Sequence, residues 1–341
     1  MKFEESFIQS EEHRPNAKRF LASPDDNLKI PVIDLEKSSA EEVGKACREW
    51  GFFYLINHGV PDHVIRRLQS TQADFFALPL EEKRRISRDA ENPMGYFNSE
   101  HTKNVKDWKE VFDFAPRDEL ELPISVDPND PTTKIVKNRW PDSLPEFREA
   151  CLEYAQAAME VLFRVLELIS RSLGLPDNRL NEFFKDDMSI ARLNSYPECP
   201  KPELALGIGR HKDVGALTLL YQDEVGGLEV RCKENGQWVP APPMPNSFVL
   251  NVADCVQVLT NDRYESVEHR AVVNDSRRRL SIPLFLIPSH YAMIKPLDEL
   301  MSKENPPKFR EFNWGKFTRQ RMREGLKNIG VPDVQIDNFR I

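Results

Sequence analysis

The spacing of hydrophobic and polar positions changes along the chain and predicts its elements. The first residues have no periodicity, which predicts a flexible N-terminal arm over 1–28. The apolar runs IPVIDL and GFFYLINHGV then predict two short buried strands, with a helical pattern over 38–50 between them. A second amphipathic helix is expected to begin at Pro61. This alternation predicts a small α/β cap packed ahead of a main domain.

A long helix is predicted in the middle of the chain. Apolar residues recur at helical spacing from Phe147 to Ile169, as on the buried face of an amphipathic helix. Ser143 and Glu146 fit the S-x-x-E pattern of a capping box, and Gly174 follows as a stop signal. At about 1.5 Å per residue the helix is roughly 45 Å long, enough to back a whole sheet.

From Ser189 onward the pattern is typical of β-structure. Short runs rich in Val, Ile, Leu and Phe follow one another, separated by Gly, Pro, Asn or Asp; they are SIARLNSY, ALGIGRH, ALTLLYQ, GLEVRC, QWVPA, SFVLNV, SVEHRAVV, RRLSIPLFL and YAMIKP. Such spacing favours an antiparallel double sheet or jelly roll. Polar helical character returns from Phe309. The fold class expected is therefore mainly β with α.

Composition and charge favour a globular protein and argue against several other classes of protein. The chain has 341 residues, of which 40% are hydrophobic and 30% charged, with a net charge of −8. This is globular composition, and the negative charge argues against a nucleic-acid partner. No apolar window has membrane-spanning length, and the acidic start is unlike a secretory signal. Five scattered cysteines outside any CxxC spacing favour a reducing, cytoplasmic location.

Three residues form a candidate metal site. His211 and Asp213 stand at i and i+2, so on a strand both side chains would leave the same face, and His269 in SVEHRAVV could complete the set. Two histidines and one carboxylate make the facial triad of non-haem Fe(II) oxygenases, which leaves positions open for a chelating co-substrate and O2. Alone, an H-x-D tripeptide occurs by chance, and His269 could be an ordinary sheet histidine.

Arg279 and Ser281 form a second candidate site inside the apolar run LSIPLFLI. A buried arginine needs an anionic partner, and no carboxylate is close in sequence. The pair is therefore interpreted as a clamp for a ligand carboxylate, which guanidinium binds in a bidentate fork. The alternative is that Arg279 points outward, like Arg277 and Arg278.

These motifs resemble those of a known family. RLNSYPECPKPELALGIGRHKDVGALTLL, VEHRAVVN and RLSIPLFL resemble the 2-oxoglutarate- and Fe(II)-dependent dioxygenases of plant metabolism, relatives of flavonol synthase, anthocyanidin synthase, the gibberellin oxidases and isopenicillin N synthase. IPVIDL, GFFYLINHGV, PLEEK and DWKEVFDF extend the resemblance over nearly the whole chain. It implies a distorted double-stranded β-helix (jelly roll) with a mixed helical N-terminal section and a C-terminal helix over the active-site mouth.

The resemblance also implies a domain organisation. After the arm at 1–28, residues 29–180 would form a mixed α/β section with the long backing helix. Residues 181–300 would form the double-stranded β-helix dioxygenase domain, and 301–341 the C-terminal helical segment.

The same resemblance assigns roles to individual residues. The iron ligands would be His211, Asp213 and His269. The 2-oxoglutarate contacts would be Arg279, Ser281, Tyr196 and Asn194. The substrate-facing positions would be Phe285, Arg192, Val111, Asp113 and Ile287. The implied cofactors and co-substrates are Fe(II), 2-oxoglutarate and O2, with ascorbate as reductant.

Further expectations concern the substrate pocket. Phe285 shares the strand face of Arg279, so its ring could stack on a flat substrate or be plain core; Arg192 could be only a surface charge. Asp113 stands where an aromatic residue often lines flavonoid pockets, which suggests a polar or cationic group on the substrate. Five aliphatic residues are expected to keep the site dry: Leu217, Leu219, Val230, Val249 and Ile282.

The expected reaction is hydroxylation or desaturation of a small plant hormone or specialised metabolite, with release of succinate and CO2. The enzyme is expected to be a monomer without nucleic-acid or membrane partners. One alternative is an oxidase of this fold that consumes O2 without 2-oxoglutarate, and another is a non-catalytic ligand-binding module. A zinc hydrolase is more distant because the H-E-x-x-H motif is missing.

Overall fold

The structure is a computed structural model that describes residues 2–15, 29–127, 129–324 and 334–341. Its helices are α1 (Ala40–Glu49), α2 (Asp62–Ala77), α3 (Leu80–Arg85), α4 (Pro145–Ser172), α5 (Asp254–Leu259) and α6 (Trp314–Glu324). Its strands are β1 (Val32–Asp34), β2 (Phe52–Ile56), β3 (Gly95–Phe97), β4 (His101–Thr102), β5 (Val105–Lys106), β6 (Glu110–Phe114), β7 (Glu119–Pro123), β8 (Thr133–Lys137), β9 (Ile190–Tyr196), β10 (Leu206–His211), β11 (Leu217–Gln222), β12 (Leu228–Arg231), β13 (Trp238–Pro240), β14 (Phe248–Val252), β15 (His269–Val272), β16 (Arg279–Leu286), β17 (Met293–Ile294) and β18 (Phe312–Asn313).

Two sheets form the centre of the molecule. The larger sheet has eight strands in the order β1-β2-β14-β11-β16-β9-β6-β3, and the smaller has four in the order β10-β15-β12-β13. Neighbours are antiparallel except β1 and β2. Each apolar run from SIARLNSY to YAMIKP forms a strand, β9 to β17 in order. The predicted mainly β fold of jelly-roll type is confirmed.

The N-terminal strands do not form a separate cap. β2 pairs with β14, and β3 and β6 extend the opposite side of the same eight-stranded sheet. The reason is that β2 is apolar on both faces. Phe53 and Leu55 belong to the main core, whereas Phe52 and Tyr54 pack in a second cluster with Leu228 of the smaller sheet. A strand with two apolar faces is stable only between two layers.

Helix α4 backs the larger sheet, as predicted, and contacts α1, α2, β11 and β16. Its 28 residues give it a length of about 42 Å. The predicted capping box is wrong, because the N-cap residue is Leu144 and Pro145 is the first helical residue. The Ser143 hydroxyl instead donates to Glu82 at 2.9 Å. After the helix, Gly174 has the left-handed φ of +77° that its stop signal requires.

Residues 2–15 pack against the domain, which differs from the predicted flexible arm. Phe7 is fully buried, with its ring centroid 4.9 Å from that of Trp108. The Gln9 amide donates to the Leu204 carbonyl at 2.9 Å. The aromatic pair Phe3 and Phe7, one helical turn apart, explains why this segment is held. Residues 16–28 of the predicted arm lie outside the described residues.

Part of the C-terminal segment belongs to the main core. Trp314 and Phe317 of α6 are buried with Phe312 of β18. Placement of this segment over the active-site mouth stays a prediction, as does the division of the chain into domains. Among the described residues, none of the helices combines the length and the apolarity needed to cross a bilayer.

Candidate active site

A cavity between the two sheets contains most of the predicted site residues. β9, β11 and β16 of the larger sheet form one wall, and β10, β12 and β15 of the smaller sheet form the other. The described residues that line the cavity include Lys109, Arg192, Asn194, Tyr196, His211, Asp213, Thr218, Asn251, His269, Arg279, Ser281 and Phe285.

Three ligand atoms converge in this cavity. His211 and His269 are direct partners in the pairing of β10 with β15, which brings their rings to 4.2 Å between centroids. Asp213 Oδ1 lies 3.4 Å from His211 Nε2 and 3.5 Å from His269 Nε2. The expected i, i+2 strand geometry is only partly present, because β10 ends at His211 and Asp213 lies in the following turn. The predicted triad nevertheless comes together in space.

Both imidazoles are oriented by backbone carbonyls. His211 Nδ1 lies 2.8 Å from the Gly209 carbonyl oxygen, and His269 Nδ1 lies 3.2 Å from that of Val267. With a proton on Nδ1, each ring keeps a lone pair on Nε2, the nitrogen that faces Asp213. Such outer contacts are typical of histidines that bind metals.

Asp213 presents one oxygen to the imidazoles while the other is held by the protein. Its Oδ2 accepts hydrogen bonds from the Thr218 hydroxyl at 2.7 Å and from Asn251 Nδ2 at 2.9 Å. Burial raises the pKa of Asp213, but His269 and His211 outweigh it, so the net pKa is well below the ordinary value. A carboxylate oxygen together with one nitrogen from each of two imidazoles is the donor set that suits non-haem Fe(II).

Sequence reasoning missed Thr218 and Asn251. Both are polar residues within otherwise apolar strands, in the runs ALTLLYQ and SFVLNV. Each is almost fully buried, at 4% and 3% exposure. Because buried polar side chains need partners, this pattern could have marked them as supporting residues of the site.

Arg279 faces into the cavity, not outward. It is 3% exposed, and among the described residues no carboxylate lies within salt-bridge distance of its guanidinium. Its Nη2 donates to Gln222 at 3.3 Å, its Nε has no partner in the described part of the chain, and its Cζ lies 5.0 Å from the Tyr196 ring centroid. A buried guanidinium with a free donor is suited to receive a ligand carboxylate.

Ser281 follows Arg279 by two residues on β16, and Asn194 is its cross-strand partner on β9. Asn194 Nδ2 donates to the Ser281 hydroxyl at 3.3 Å, and Asn194 Oδ1 has no partner among the described residues. Gln72 of α2 donates to both backbone carbonyls, at 3.0 Å to Asn194 and 3.2 Å to Ser281. The four residues expected at the 2-oxoglutarate end therefore occupy one end of the cavity.

The residues expected to face the substrate separate into two groups. Phe285 and Arg192 line the cavity, Phe285 on the same strand face as Arg279. Val111, Asp113 and Ile287 are not among the lining residues that the structure describes; Val111 is fully buried and Ile287 belongs to the main core. Their expected contact with the substrate is not supported by this placement.

The Asp113 carboxylate is already bound by two arginines. Arg192 Nε and Nη2 donate to it at 2.6 and 2.8 Å, and Arg88 Nη1 donates at 2.7 Å. The expectation that Asp113 would face a cationic substrate group is therefore wrong. Asp113 belongs instead to a buried group of ion-paired side chains, here called the charge cluster, composed of Arg88, Glu100, Asp107, Lys109, Asp113 and Arg192. Lys109 and Arg192 reach the cavity from this cluster.

Three of the five residues of the predicted aliphatic wall lie on the wrong strand face, and the other two pack beside the cavity without lining it. Leu217, Leu219 and Ile282 belong to the main core on the other side of the larger sheet. Val230 and Val249 pack in the second cluster instead of lining the cavity. The apolar side chains that line the cavity are Phe52, Ile208, Leu220, Leu228, Ala271, Pro283 and Phe285. The Thr218 side chain points into the cavity, toward Asp213. Because successive side chains of a strand point to opposite faces, Leu217 and Leu219 on β11 point away from the cavity into the main core.

Comparisons with known proteins agree with this geometry. Residues 187–288 match the 2OG-Fe(II) oxygenase superfamily, and residues 30–143 match the N-terminal region described as non-haem dioxygenase in morphine synthesis. Feruloyl CoA ortho-hydroxylase 2 of Arabidopsis thaliana is 35% identical over 92% of this chain and 86% of its own length. Flavonol synthase 1 of Crocosmia x crocosmiiflora is 36% identical over 89% of this chain and 88% of its own length.

Solved structures extend the similarity to three dimensions. The crystal structure of JOX2 in complex with 2OG, Fe, and JA has a TM-score of 0.81 and 29% identity, covering 99% of this chain and 93% of that one. The dioxygenase for auxin oxidation in rice has a TM-score of 0.72 and 29% identity, covering 92% of this chain and all of that one. The protein is thus an oxidoreductase that uses Fe(II) and 2-oxoglutarate, and its chain belongs to the 2OG-Fe(II) oxygenase superfamily.

Proposed function

We propose that His211, Asp213 and His269 hold the Fe(II) ion and that Arg279 and Ser281 bind the distal carboxylate of 2-oxoglutarate. The observation that carries this assignment is a buried guanidinium without a carboxylate partner among the described residues, in the same cavity as three converging ligand atoms. Burying an arginine without an anion is costly, so the cavity favours an anionic occupant.

Tyr196 and Asn194 complete the proposed 2-oxoglutarate site. The Tyr196 ring packs against the Arg279 guanidinium and limits its orientations. Asn194 Nδ2 holds the Ser281 hydroxyl, which leaves that hydroxyl's proton available for a carboxylate oxygen. This arrangement fixes how far the co-substrate extends toward the metal ligands, which is an orientation effect.

The bound iron supplies the oxidative chemistry, in which O2 and 2-oxoglutarate are consumed and succinate and CO2 are released. The residues of the chain bind the reactants, orient them and exclude water. Ile208, Leu220 and Leu228 make an apolar wall beside the metal ligands, which keeps the site dry. We propose ascorbate as the reductant that maintains the ferrous state.

The substrate class proposed is a small plant hormone or specialised metabolite, which the enzyme hydroxylates or desaturates. Relatives carry names such as feruloyl CoA ortho-hydroxylase, flavonol synthase and gibberellin 20 oxidase. We place the substrate beside Phe285, whose ring lines the cavity and is partly exposed. An aromatic face there favours a flat or apolar substrate portion, and Arg192 would lie at its polar end.

The cellular setting proposed is a monomer in the cytoplasm, without nucleic-acid or membrane partners. All five cysteines are buried and free, which suits a reducing compartment. The net charge of −8 disfavours binding to nucleic acid.

The test uses purified protein loaded anaerobically with Fe(II) and 2-oxoglutarate, mixed with a plant metabolite extract and exposed to O2. Mass spectrometry would look for products that gain one oxygen atom or lose two hydrogen atoms, with succinate measured in parallel. One succinate per product is expected. Product without succinate would contradict the proposed co-substrate site and favour an oxidase that works without 2-oxoglutarate. Asp213→Ala protein is the control for reactions that do not depend on the site.

A further inference from the structure

The strand that carries His211 lies at an open edge. β10 is the outermost strand of the smaller sheet, and its pairing with β15 is irregular between Ile208 and His211. An edge strand with a bulge has backbone groups that no neighbouring strand satisfies. The position of His211, the proposed metal ligand at the end of β10, therefore depends on contacts other than strand pairing.

Asp107 and Trp108 occupy this edge. The Trp108 amide donates to the Leu206 carbonyl at 2.9 Å, and the Gly209 amide donates to Asp107 Oδ1 at 3.0 Å. Asp107 and Trp108 are 1% and 0% exposed. A short segment before β6 thus replaces the missing strand along β10.

Gly209 links Asp107 to the metal ligand. Its amide is bound by the Asp107 carboxylate, and its carbonyl oxygen lies 2.8 Å from His211 Nδ1. The position of this carbonyl determines the orientation of the imidazole and which nitrogen keeps the lone pair. Displacement of Gly209 would therefore move His211 Nε2 relative to Asp213 and His269.

Asp107 is itself held in place. Its Oδ2 accepts a hydrogen bond from the Thr102 hydroxyl at 2.8 Å and lies 3.6 Å from Lys109 Nζ. A Cβ added to Gly209 would lie 3.0 Å from Thr102 Cβ and 3.1 Å from its Cγ2, so the glycine allows Thr102 to approach. Three side chains and the Gly209 backbone are thus packed with little freedom.

We infer that Asp107 is a positioning residue for the iron site, acting through Gly209 on His211. The inference rests on the proposed function, since it requires His211 to be a metal ligand. Asp107 is not among the described residues that line the cavity, so it would contact neither substrate nor co-substrate. Loss of such outer contacts weakens metal binding by about 10- to 100-fold in metal sites generally.

The test measures Co(II) binding by anaerobic calorimetry, together with the visible absorption spectrum of bound Co(II). Asp107→Ala removes the acceptor for the Gly209 amide, and we expect Co(II) affinity to fall by about tenfold or more, with an altered spectrum. Asp107→Asn keeps an oxygen acceptor, and we expect it to restore most of the affinity. Gly209→Ala leaves Asp107 intact but forces Gly209 away from Thr102, so weaker Co(II) binding is expected here too.

Asp187→Ala is the matched control. Asp187 is also buried, accepts a backbone hydrogen bond from the Ser189 amide at 2.9 Å and pairs with Arg117, but it does not line the cavity. We expect a lower unfolding midpoint with unchanged Co(II) affinity.

Two negative results have different meanings. If wild-type protein binds Co(II) and Asp107→Ala binds it equally well with the same spectrum, Asp107 only stabilises the fold and the inference is overturned. Unchanged affinity in Gly209→Ala would also overturn it. If His211→Ala binds Co(II) as tightly as wild type, the proposed function fails instead.

Discussion

The Thr218 hydroxyl donates a hydrogen bond to Asp213 Oδ2 at 2.7 Å, while Asp213 Oδ1 lies within 3.5 Å of both His211 and His269 Nε2. One oxygen of the carboxylate is therefore held by the protein and the other is directed to the metal position. This contact helps to fix the rotation of the Asp213 carboxylate before a metal ion binds, and such preorganisation reduces the free-energy cost of metal binding.

Thr218→Val should weaken the iron site without unfolding the protein. Valine has nearly the same shape as threonine but cannot donate to Asp213. The carboxylate then loses one of the two hydrogen bonds described at its Oδ2 and is held there by Asn251 Nδ2, so its orientation is fixed less firmly. We expect Fe(II) affinity to fall by about tenfold, measured by anaerobic calorimetry. Thr71→Val is the control, since the Thr71 hydroxyl donates to the Arg67 and Leu68 carbonyls within α2, away from the cavity. Equal losses in both variants would argue against the role of Thr218.

His211→Ala and Asp213→Ala should each abolish turnover, because only two protein ligands would remain. The measurement is succinate released from 2-oxoglutarate by the Fe(II)-loaded protein. His63→Ala is the control, since His63 is exposed on α2 and should retain full activity. Wild-type activity in either ligand variant would remove the metal assignment.

Arg279→Ala should mainly raise the KM for 2-oxoglutarate. A hydrogen bond to a charged group contributes about 1.5–3 kcal/mol, which corresponds to an increase in KM of about 10- to 150-fold. The KM is measured from succinate formation over a range of 2-oxoglutarate concentrations. Arg278→Ala removes an exposed neighbouring guanidinium and should leave the KM unchanged. An unaltered KM in Arg279→Ala would place the co-substrate site elsewhere.

Glu100→Gln should destabilise the protein in a pH-dependent manner. Burial raises the pKa of Glu100, but Arg192, Lys109 and Arg88 lower it more, so the net pKa is well below the ordinary value. Its ionised form therefore stabilises the fold above the unfolded-state pKa, and this contribution is lost as the pH falls toward the lower folded-state pKa. At neutral pH, removing one of the carboxylates that neutralise these buried cations should lower the free energy of unfolding by about 3 kcal/mol.

The measurement for Glu100→Gln is denaturant unfolding between pH 7 and pH 3. The loss of unfolding free energy relative to wild type should be largest at pH 7 and should shrink below about pH 4, where Glu100 becomes protonated in the unfolded wild-type chain before it does so in the folded protein. Glu36→Gln, at an exposed position, is the control and should show little difference at either pH. A difference that grows on acidification would contradict the ionised state of Glu100.

The local elements of this protein were largely predictable from its sequence. The apolar runs that form β9 to β17 and the helical pattern of α4 depend on spacing along one segment, which the sequence contains in full. The errors concern relationships between segments. Ser143 was expected to cap α4 but bonds to Glu82 of α3, and β2 joins the large sheet because both of its faces find apolar partners.

The active site shows the same contrast between features that one segment determines and features that depend on contacts between segments. Residue types and spacing marked His211, Asp213, His269, Arg279 and Ser281 as candidates, because metal and carboxylate binding require particular side chains. The family resemblance then assigned their roles. Which face of β11 meets the cavity, and which acid neutralises which base, depends on strand pairing and on distances across the fold. The engagement of Asp113 by Arg88 and Arg192 and the contact of Asp107 with Gly209 join residues 25 to 102 positions apart. Electrostatic and hydrogen-bond partners act over a few ångströms in space, and only the folded chain brings them within that range.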